Sequence, residues 1–479
     1  MESPSHPPGA ATANPAQAQP RAVLRLGHAV AIIVGIVIGA GIFKAPALVA
    51  GMSSSPAWMF AGWGLGGLVS LVGALCYAEL ATTYPHAGGD YHFLRRAYGH
   101  SVSFLFAWAR FSVITTGSIA LLAFVFGDYM SQLLPLGTHS SAWYAAAVVL
   151  LLTWVNLRGI RTSAATQSWL TCVEVTGLLL IAVAGLYLLG AGTGAAAREV
   201  VPVAAAGTSW SGFGMAMIFV LLTYGGWNEA AYISAELKDQ TRSMVRALVY
   251  SILLITALYL LVNWAYWYGL GFAGMAKSEA IAADLARRAF GNAGGVLIAA
   301  LVAVAALTSI NATMIVGART NFAVGRDWPL LRRFGQWDES SGTPRAALLV
   351  QGIAALLLVG VGALTGGGFR SMVEFTAPVF WLFFLLAVLS LIVLRIREPN
   401  VKRPFKVPLY PLLPIAFMLV CAYMLWSSLS YVYSQALGGL NAAWVGVAVL
   451  AVGAVLLLVV RSSAPAVHSS SSLPLRSTS

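Results

Sequence analysis

Charged residues are scarce in this chain of 479 residues: Asp, Glu, Lys and Arg make up 9% of it, against roughly a quarter in soluble globular domains. Hydrophobic residues make up 59%, and the mean hydropathy is +0.81. Too few polar side chains are present to cover a compact fold in water. This composition excludes a water-soluble protein.

Acidic residues and cysteines are scarce as well. The 16 Asp and Glu residues against 28 Lys and Arg residues give a net charge of +12. Because the basic residues fall in short connections between apolar runs, the excess indicates membrane topology and not nucleic-acid binding. The three cysteines, Cys76, Cys172 and Cys421, lie in apolar runs without metal-ligand spacing, and we interpret them as packing residues. No metal site or cofactor is predicted.

Long apolar runs follow one another along almost the whole chain. A bilayer core about 30 Å thick needs about twenty apolar residues per helix. Runs bounded by charge, Gly or Pro therefore predict an all-α polytopic membrane protein of about 12 transmembrane helices. The predicted spans are 27–51, 56–84, 101–134, 141–157, 167–190, 211–235, 246–272, 293–323, 344–364, 371–396, 408–433 and 441–461. Residues 280–289 are predicted to form a short surface helix.

Both ends of the chain lack apolar runs. Residues 1–22 are rich in Pro, Ala, Ser and Gln, and residues 463–479 are rich in Ser, so both are predicted to be disordered tails around one transmembrane domain, 23–462. No cleaved signal peptide is expected before the first span. With a cytoplasmic amino terminus, most Lys and Arg residues fall on the inner side, so both termini are predicted to be cytoplasmic in a cell membrane.

Glycines interrupt the first predicted span. Gly39-Ala40-Gly41 and the following Lys44-Ala45-Pro46 are poor helix formers at membrane depth. One interpretation is close helix packing through small residues. The other is an unwound segment whose backbone groups are free to bind a ligand.

The sixth predicted span is interrupted in the same way, at Gly225-Gly226 between polar and aromatic side chains. The first and sixth helices are corresponding members of two five-helix halves, a pattern typical of an inverted repeat with its binding site between the halves. A half-helix beginning after Gly39 presents N–H groups to an anion, and one ending near Leu222 presents carbonyls to an ammonium. Together the two ends predict a zwitterionic ligand.

Several long segments resemble the amino acid–polyamine–organocation superfamily, and within it the branch of L-type amino acid transporters and their bacterial relatives. The similarity covers about residues 25–460. It is carried by IGAGIF, TYGGWNEAAYISAELKD, YAELATTYPHAGGDYHFLRRAYG, TGSIALLAFVFGDY, AIAADLARRAFG and SINATMIVGARTNFAVGRD. The resemblance implies a leucine-transporter-type fold, a 5+5 inverted repeat with broken helices 1 and 6. Its first repeat is 27–190, its second is 211–396, and two extra helices occupy 408–461.

The resemblance also implies a set of substrate contacts. The amides of Ala40 and Gly41 would bind a carboxylate, and the carbonyls of Val37, Leu222 and Gly225 an ammonium. Val113 and Ile114 would line the side-chain pocket, and Asn228 would steady the sixth-helix break. The predicted substrate-binding residues are Val37, Ile38, Gly39, Ala40, Gly41, Val113, Ile114, Leu222, Thr223, Gly225, Gly226, Trp227 and Asn228. Because the pocket positions are apolar, a neutral amino acid is favoured over an acidic one.

A few charged residues fall in or near the spans, where burial is expensive. Glu174 stands where many relatives carry a fifth-helix lysine, and we interpret it as a candidate proton-coupling residue or as half of an ion pair with Arg110. Glu79 is expected to pair with basic loop residues. Glu229 either gates the site or lies in a solvated vestibule, and Lys44 is expected to reach outward to solvent.

The function predicted from these features is secondary active transport of a neutral amino acid by alternating access, as an antiporter or a proton symporter. A polyamine or cationic amino acid carrier is the alternative. An enzyme in the membrane is disfavoured because no catalytic pattern accompanies the histidines. Trp227 either closes over the ligand or simply packs. The loop 135–140 lacks the cysteine through which some relatives bind a single-span partner, so no disulfide-linked subunit is expected.

Overall fold

The fold is described from a computed structural model of the chain. It describes residues 26–86, 88–159, 164–195, 210–229, 240–328, 331–338, 343–434 and 442–462. The two predicted tails, 1–22 and 463–479, lie outside these residues, as does the end of the sixth predicted span, 230–235.

The described chain is all-helical, as predicted, apart from an isolated β-bridge between Asp338 and Thr343. The α-helices are α1 (Leu26–Val37), α2 (Ala45–Met52), α3 (Pro56–Thr83), α4 (Gly89–Tyr98), α5 (His100–Ala109), α6 (Thr116–Leu133), α7 (Ser140–Leu157), α8 (Ala164–Gly190), α9 (Trp210–Thr223), α10 (Gln240–Leu270), α11 (Phe272–Lys277), α12 (Ile281–Asp327), α13 (Arg345–Leu364), α14 (Phe369–Arg397), α15 (Leu412–Ser434) and α16 (Ala442–Ser462).

Nine helical segments of the described chain are long and apolar enough to cross a membrane. They are Pro56–Thr83, His100–Leu133, Ser140–Leu157, Cys172–Gly190, Arg242–Leu270, Ile281–Phe322, Arg345–Leu364, Phe369–Arg397 and Leu412–Ser430. A shorter apolar helix is Trp444–Leu458. The chain is therefore a multi-pass membrane protein.

Helix α1 is too short to cross a membrane by itself. Its 12 residues rise about 18 Å, against about 30 Å for a bilayer core. It is followed by a 3₁₀ turn, Ala40–Phe43, and then by α2, whose early Pro46 suits the start of a helix. The first predicted span is thus two short helices with a break between them.

The third predicted span is one helical segment with a π-helical insertion at Arg110–Thr115, between α5 and α6. Within it the Ser112 hydroxyl donates to the Trp108 carbonyl at 2.7 Å, a type of contact that bends helices. The insertion was not predicted. It rotates the residues after Arg110 relative to those before it.

Helix packing divides most spans into two groups. Helices α6, α7, α12 and α13 pack on one another, while α10 packs on α1 and α3, and α3 packs on α9. The second group contains both interrupted spans. Helix α8 contacts both groups, through α12 and α10.

Two expectations about individual residues are wrong. Residues 281–290 form the first part of α12, up to a turn at Gly291 with φ +73, but they are not a surface helix. Ile281 and Leu285 are fully buried, because the apolar side of this segment packs beneath neighbouring helices. Cys172 is exposed on α8, whereas Cys76 and Cys421 are buried as predicted.

The end of α3 is fastened to α14 by a buried carboxylate. Glu79 is 2% exposed and accepts from Arg395 Nε at 2.7 Å and Nη2 at 2.5 Å. It also accepts from the Val407 amide at 2.7 Å, and Arg403 lies 3.6 Å away. Glu79 therefore pairs with basic residues as expected, but the nearer one, Arg395, is on α14, while Arg403 is in the loop that follows it.

We expect Glu79→Gln to destabilise the protein strongly, because it leaves the largely buried Arg395 guanidinium without its counter-charge. Removing one partner of a buried pair costs on the order of 3–5 kcal/mol. The melting temperature in detergent should fall by several degrees. The control is Asp338→Asn, whose partner Arg345 is 53% exposed, since exposed pairs contribute roughly 0–1 kcal/mol. Equal shifts for the two variants would contradict this assignment.

Candidate functional site

The break in the first span begins where α1 ends at Val37. Gly39 is extended, with φ −107 and ψ −174, and no side chain caps the 3₁₀ turn that follows it. The amides of Ala40 and Gly41 open this turn, and the first N–H groups of a helix have no acceptor within the helix. Of the two interpretations of these glycines, the unwound segment is the one that the structure shows.

The break in the sixth span follows Thr223, the last residue of α9. The Gly225 amide donates to the Leu222 carbonyl at 3.0 Å, and Gly226 has φ +110. A single 3₁₀ turn then runs from Trp227 to Glu229. A left-handed backbone at Gly226 is a conformation that glycine adopts at no steric cost.

The two breaks lie directly against each other. A Cβ atom built on Gly226 would lie 3.0 Å from Ile36 Cγ2 and 3.2 Å from the Ile36 carbonyl oxygen. A Cβ atom on Gly41 would lie 3.8 Å from the Thr223 side chain, which is ordinary van der Waals contact. Glycine is therefore required at Gly226, while a methyl group at Gly41 fits but fills the space between the breaks.

One side chain connects the ends of the two half-helices. The hydroxyl of Tyr259, on α10, lies 3.0 Å from the Val37 carbonyl oxygen and 3.0 Å from the Thr223 carbonyl oxygen. Tyr259 is completely buried. Its single proton is shared between the final carbonyls of α1 and α9, and a helix cannot supply donors to its own last carbonyls.

The backbone groups predicted to bind an ammonium already have partners. The Val37 carbonyl accepts from the Gly39 amide at 2.8 Å as well as from Tyr259, and the Leu222 carbonyl accepts from Gly225. A carbonyl oxygen has two lone pairs. A ligand ammonium at Val37 would therefore have to displace one of its two donors.

Val113 and Ile114 lie in the π-helical insertion, which packs on α12 and α14. Val113 is completely buried. Arg110 opens the same insertion and donates to Glu229 Oε1 at 3.0 Å, beyond the sixth-span break. The third span is thus tied by an ion pair to the break, and Glu229 is not a freely solvated carboxylate.

Glu174 does not pair with Arg110, so that alternative is wrong: the guanidinium is engaged by Glu229 instead. Glu174 is 5% exposed and accepts from the Ser309 hydroxyl of α12 at 3.4 Å. A Cβ atom on Gly177, one turn further along α8, would lie 3.7 Å from the Phe43 ring. Glu174 is therefore on the helix that passes the first break.

Trp227 packs in an aromatic cluster. Its ring centroid lies 5.3 Å from that of Tyr77, 5.6 Å from Phe384 and 6.3 Å from Phe417, and the residue is 3% exposed. A small cavity beside the sixth-span break is lined by Gly225, Trp227 and aromatic rings of α14 and α15. Of the two interpretations of Trp227, the structure shows packing. Its neighbour Asn228 is buried in the same turn.

Lys44 does not reach outward to solvent as expected. Its ammonium lies 2.7 Å from Asp128 Oδ2 and donates to the Glu279 carbonyl at 2.7 Å. Beside it the Tyr129 hydroxyl donates to the Phe43 carbonyl at 2.6 Å. Lys44 stands between the 3₁₀ turn and α2, and Asp128 is on α6, which packs on that turn, so the two charges are close enough to attract each other strongly.

Sequence reasoning missed Tyr259 and the π-helical insertion. A tyrosine in the middle of an apolar span signals a hydrogen-bond partner, because a buried hydroxyl is costly without one. The sequence does not say which partner. Among the described residues, no group of three or more His, Cys, Asp and Glu side chains is placed to hold a metal ion.

We expect Tyr259→Phe to loosen both breaks, because it leaves two buried carbonyls with fewer donors at roughly 1–3 kcal/mol each. Hydrogen-exchange mass spectrometry should show faster exchange in residues 36–44 and 222–229. The control is Tyr98→Phe, which removes an equivalent hydroxyl bond to the Leu386 carbonyl and should leave these segments unchanged. Unchanged exchange in Tyr259→Phe would rule out the bridging role.

Comparison with known proteins agrees with this geometry. The family model described as amino acid permease matches residues 24–457. The b(0,+)-type amino acid transporter 1 of Mus musculus is 29% identical over 400 residues, covering 83% of this chain and 80% of the relative. The large neutral amino acids transporter small subunit 2 of Homo sapiens is 30% identical over 411 residues, covering 84% and 75%. The chain belongs to the amino acid permease family of the amino acid–polyamine–organocation superfamily, whose members are transporters and not enzymes.

Proposed function

We propose that this permease moves a neutral amino acid across the cell membrane by alternating access, with the substrate bound between the two breaks. One observation carries the proposal: two interrupted helices meet at their breaks, where the Ala40 and Gly41 amides open a 3₁₀ turn and a single hydroxyl joins the Val37 and Thr223 carbonyls. Such a pair of breaks is the feature that secondary transporters use to bind zwitterions.

The substrate carboxylate would be bound by the amides of Ala40 and Gly41, and its ammonium by the carbonyls of Val37, Leu222 and Gly225. Tyr259 supports this assignment because its hydroxyl already marks Val37 as an acceptor for a donor located between the helices. The ligand ammonium would replace the Tyr259 hydroxyl as a hydrogen-bond donor to the Val37 carbonyl. Ile38, Gly39, Thr223, Gly226, Trp227 and Asn228 complete the proposed site.

A neutral side chain suits the pocket because Val113 and Ile114 are apolar. One relative is a large neutral amino acids transporter, which agrees with this choice. The second candidate is a cationic amino acid or polyamine, favoured by Glu174, whose described contact is a serine hydroxyl and not a cation. Glu174 is also our proposed proton-coupling residue if the cycle is symport; exchange needs no proton.

The complete architecture would have twelve spans. The nine long segments, the first span formed by α1 and α2, the sixth span beginning with α9, and α16 account for them. We infer two inverted repeats, 27–190 and 211–396, followed by two extra helices, 408–461. Both termini, in tails 1–22 and 463–479, would be cytoplasmic, and no disulfide-linked subunit would be needed.

Transport then requires the group containing α1, α3, α9 and α10 to move against α6, α7, α12 and α13. Two ion pairs join these groups at opposite sides of the breaks: Lys44 with Asp128 and Arg110 with Glu229. Opening toward either side would separate the pair on that side. Substrate binding would favour closure because only the closed state satisfies both sets of backbone groups.

Counterflow in proteoliposomes tests the proposed function. Vesicles loaded with unlabelled leucine should accumulate labelled leucine, and other neutral amino acids should compete. Glutamate and putrescine should compete weakly. Stronger competition by arginine or putrescine than by neutral amino acids would favour the second candidate instead.

We expect Gly41→Ala to raise the KM for leucine roughly tenfold, equivalent to about 1.4 kcal/mol. The added methyl group fits between the breaks but blocks approach of the carboxylate to the amides beside it. The control is Gly27→Ala in α1, where an added Cβ would meet nothing within 4 Å. If counterflow kinetics give both variants the wild-type KM, the substrate does not bind at this turn.

A further inference from the structure

A buried carboxylate lies outside the substrate site just described. Asp90 is in the first turn of α4, the short helix that connects the second and third spans. It is 4% exposed, and its Oδ1 atom has no hydrogen-bond partner among the residues that the structure describes. Burying an ionised oxygen without a donor is costly, and a bound proton removes that cost.

The surroundings of Asp90 belong to the machinery of the sixth-span break. The Asn228 side chain and the Tyr77 hydroxyl face its carboxyl group and favour its ionised form, and the charges of Arg110 and Glu229 act on it. Asn228 and Glu229 are in the turn that follows the break. The Arg110 guanidinium, which pairs with Glu229, thus also attracts the Asp90 carboxylate.

Together these influences set the pKa of Asp90 in the physiological pH range. Burial raises the pKa of Asp90 to about 6, Arg110 opposes this shift, and the Glu229 charge adds to it. The other ionisable groups on α4 are occupied or neutral: burial lowers the pKa of His92 to about 4, Arg95 contacts His100, and Arg96 pairs with Glu398.

The neighbouring helices contribute no further charge to this carboxyl group among the described residues. On α14, Arg395 binds Glu79, and Arg397 donates to the Ala97 carbonyl at 2.7 Å. At the start of α5, His100 contacts Arg95. Arg110 and Glu229 are the charged groups that act on Asp90.

We propose that Asp90 binds a proton and that its protonation loosens the turn 227–229 from α3 and α4. Ionised Asp90 forms charge-assisted hydrogen bonds, which are roughly twice as strong as neutral ones, and so holds Asn228 against α3 and α4. Protonated Asp90 binds Asn228 less strongly and no longer attracts Arg110, which then interacts with Glu229 alone. This inference rests on the proposed function, because the sixth-span break is assumed to move during transport. Asp90 acts here as a positioning residue without touching substrate.

Leucine counterflow measured from pH 5.5 to pH 7.5 tests the proposal. The wild-type rate should rise several-fold as the pH falls, with a midpoint near 6. Asp90→Asn, a neutral isostere, should give the fast rate at every pH, and Asp90→Glu should restore the pH dependence. Glu229→Gln should move the midpoint to lower pH, because it removes the charge that opposes ionisation of Asp90.

Persistence of the wild-type pH profile in Asp90→Asn would overturn the proposal, as would a flat profile at the slow rate. The control is Asp338→Asn, which alters an ion pair with the exposed Arg345 and should keep the wild-type profile. Absence of counterflow by the wild-type protein at every pH would refute the proposed function, a result distinct from a wild-type rate that does not vary with pH.

A second measurement does not depend on transport. The pKa of Asp90 is raised above its unfolded value of about 3.9, so its protonation stabilises the folded state. That contribution is complete below about pH 4 and is lost as the pH rises through about 6. The melting temperature in detergent should therefore fall between pH 4.5 and pH 7 by an increment that Asp90→Asn lacks. Equal pH dependence in the two proteins would contradict the assignment.

Discussion

The hydroxyl of Tyr259 joins the exposed ends of two interrupted helices, and this interaction determines how the rest of the structure can be arranged. Backbone groups at membrane depth cannot be satisfied by water, so every break in a span needs an internal partner. Here the final carbonyls of α1 and α9 converge on one proton donor. The convergence requires the breaks to be adjacent, and Gly226 permits this because it has no side chain to contact Ile36.

Three of the ion pairs explain how charged side chains are accommodated near the apolar spans. Lys44 pairs with Asp128 on one side, Arg110 pairs with Glu229 on the other, and Glu79 fastens α3 to α14. Charges are costly in hydrocarbon, so each is retained with a partner. The first two pairs join the helix group that carries the breaks to the group that contains α6, and they are therefore suited to open and close on opposite sides.

The helical architecture and the position of both breaks could be predicted from the sequence because they depend on local chemistry: long apolar runs form spans, and Gly39 and Gly225-Gly226 interrupt them. Partners of charged side chains could not be predicted, because they depend on which helices become neighbours. Arg110 therefore pairs with Glu229 and not with Glu174, and Lys44 pairs with Asp128. The π-helical insertion at Arg110–Thr115 has no strong sequence signal, since Ser112 is compatible with an ordinary helix. The direct contact of the breaks through Tyr259 required three-dimensional information.

We propose that the two breaks form one zwitterion site. A cryo-electron microscopy structure with bound leucine tests it most directly. We expect the carboxylate within hydrogen-bond distance of the Ala40 and Gly41 amides, and the ammonium at the Val37 carbonyl beside Tyr259. Leucine bound elsewhere, with the breaks empty and the Tyr259 bridge intact, would contradict it.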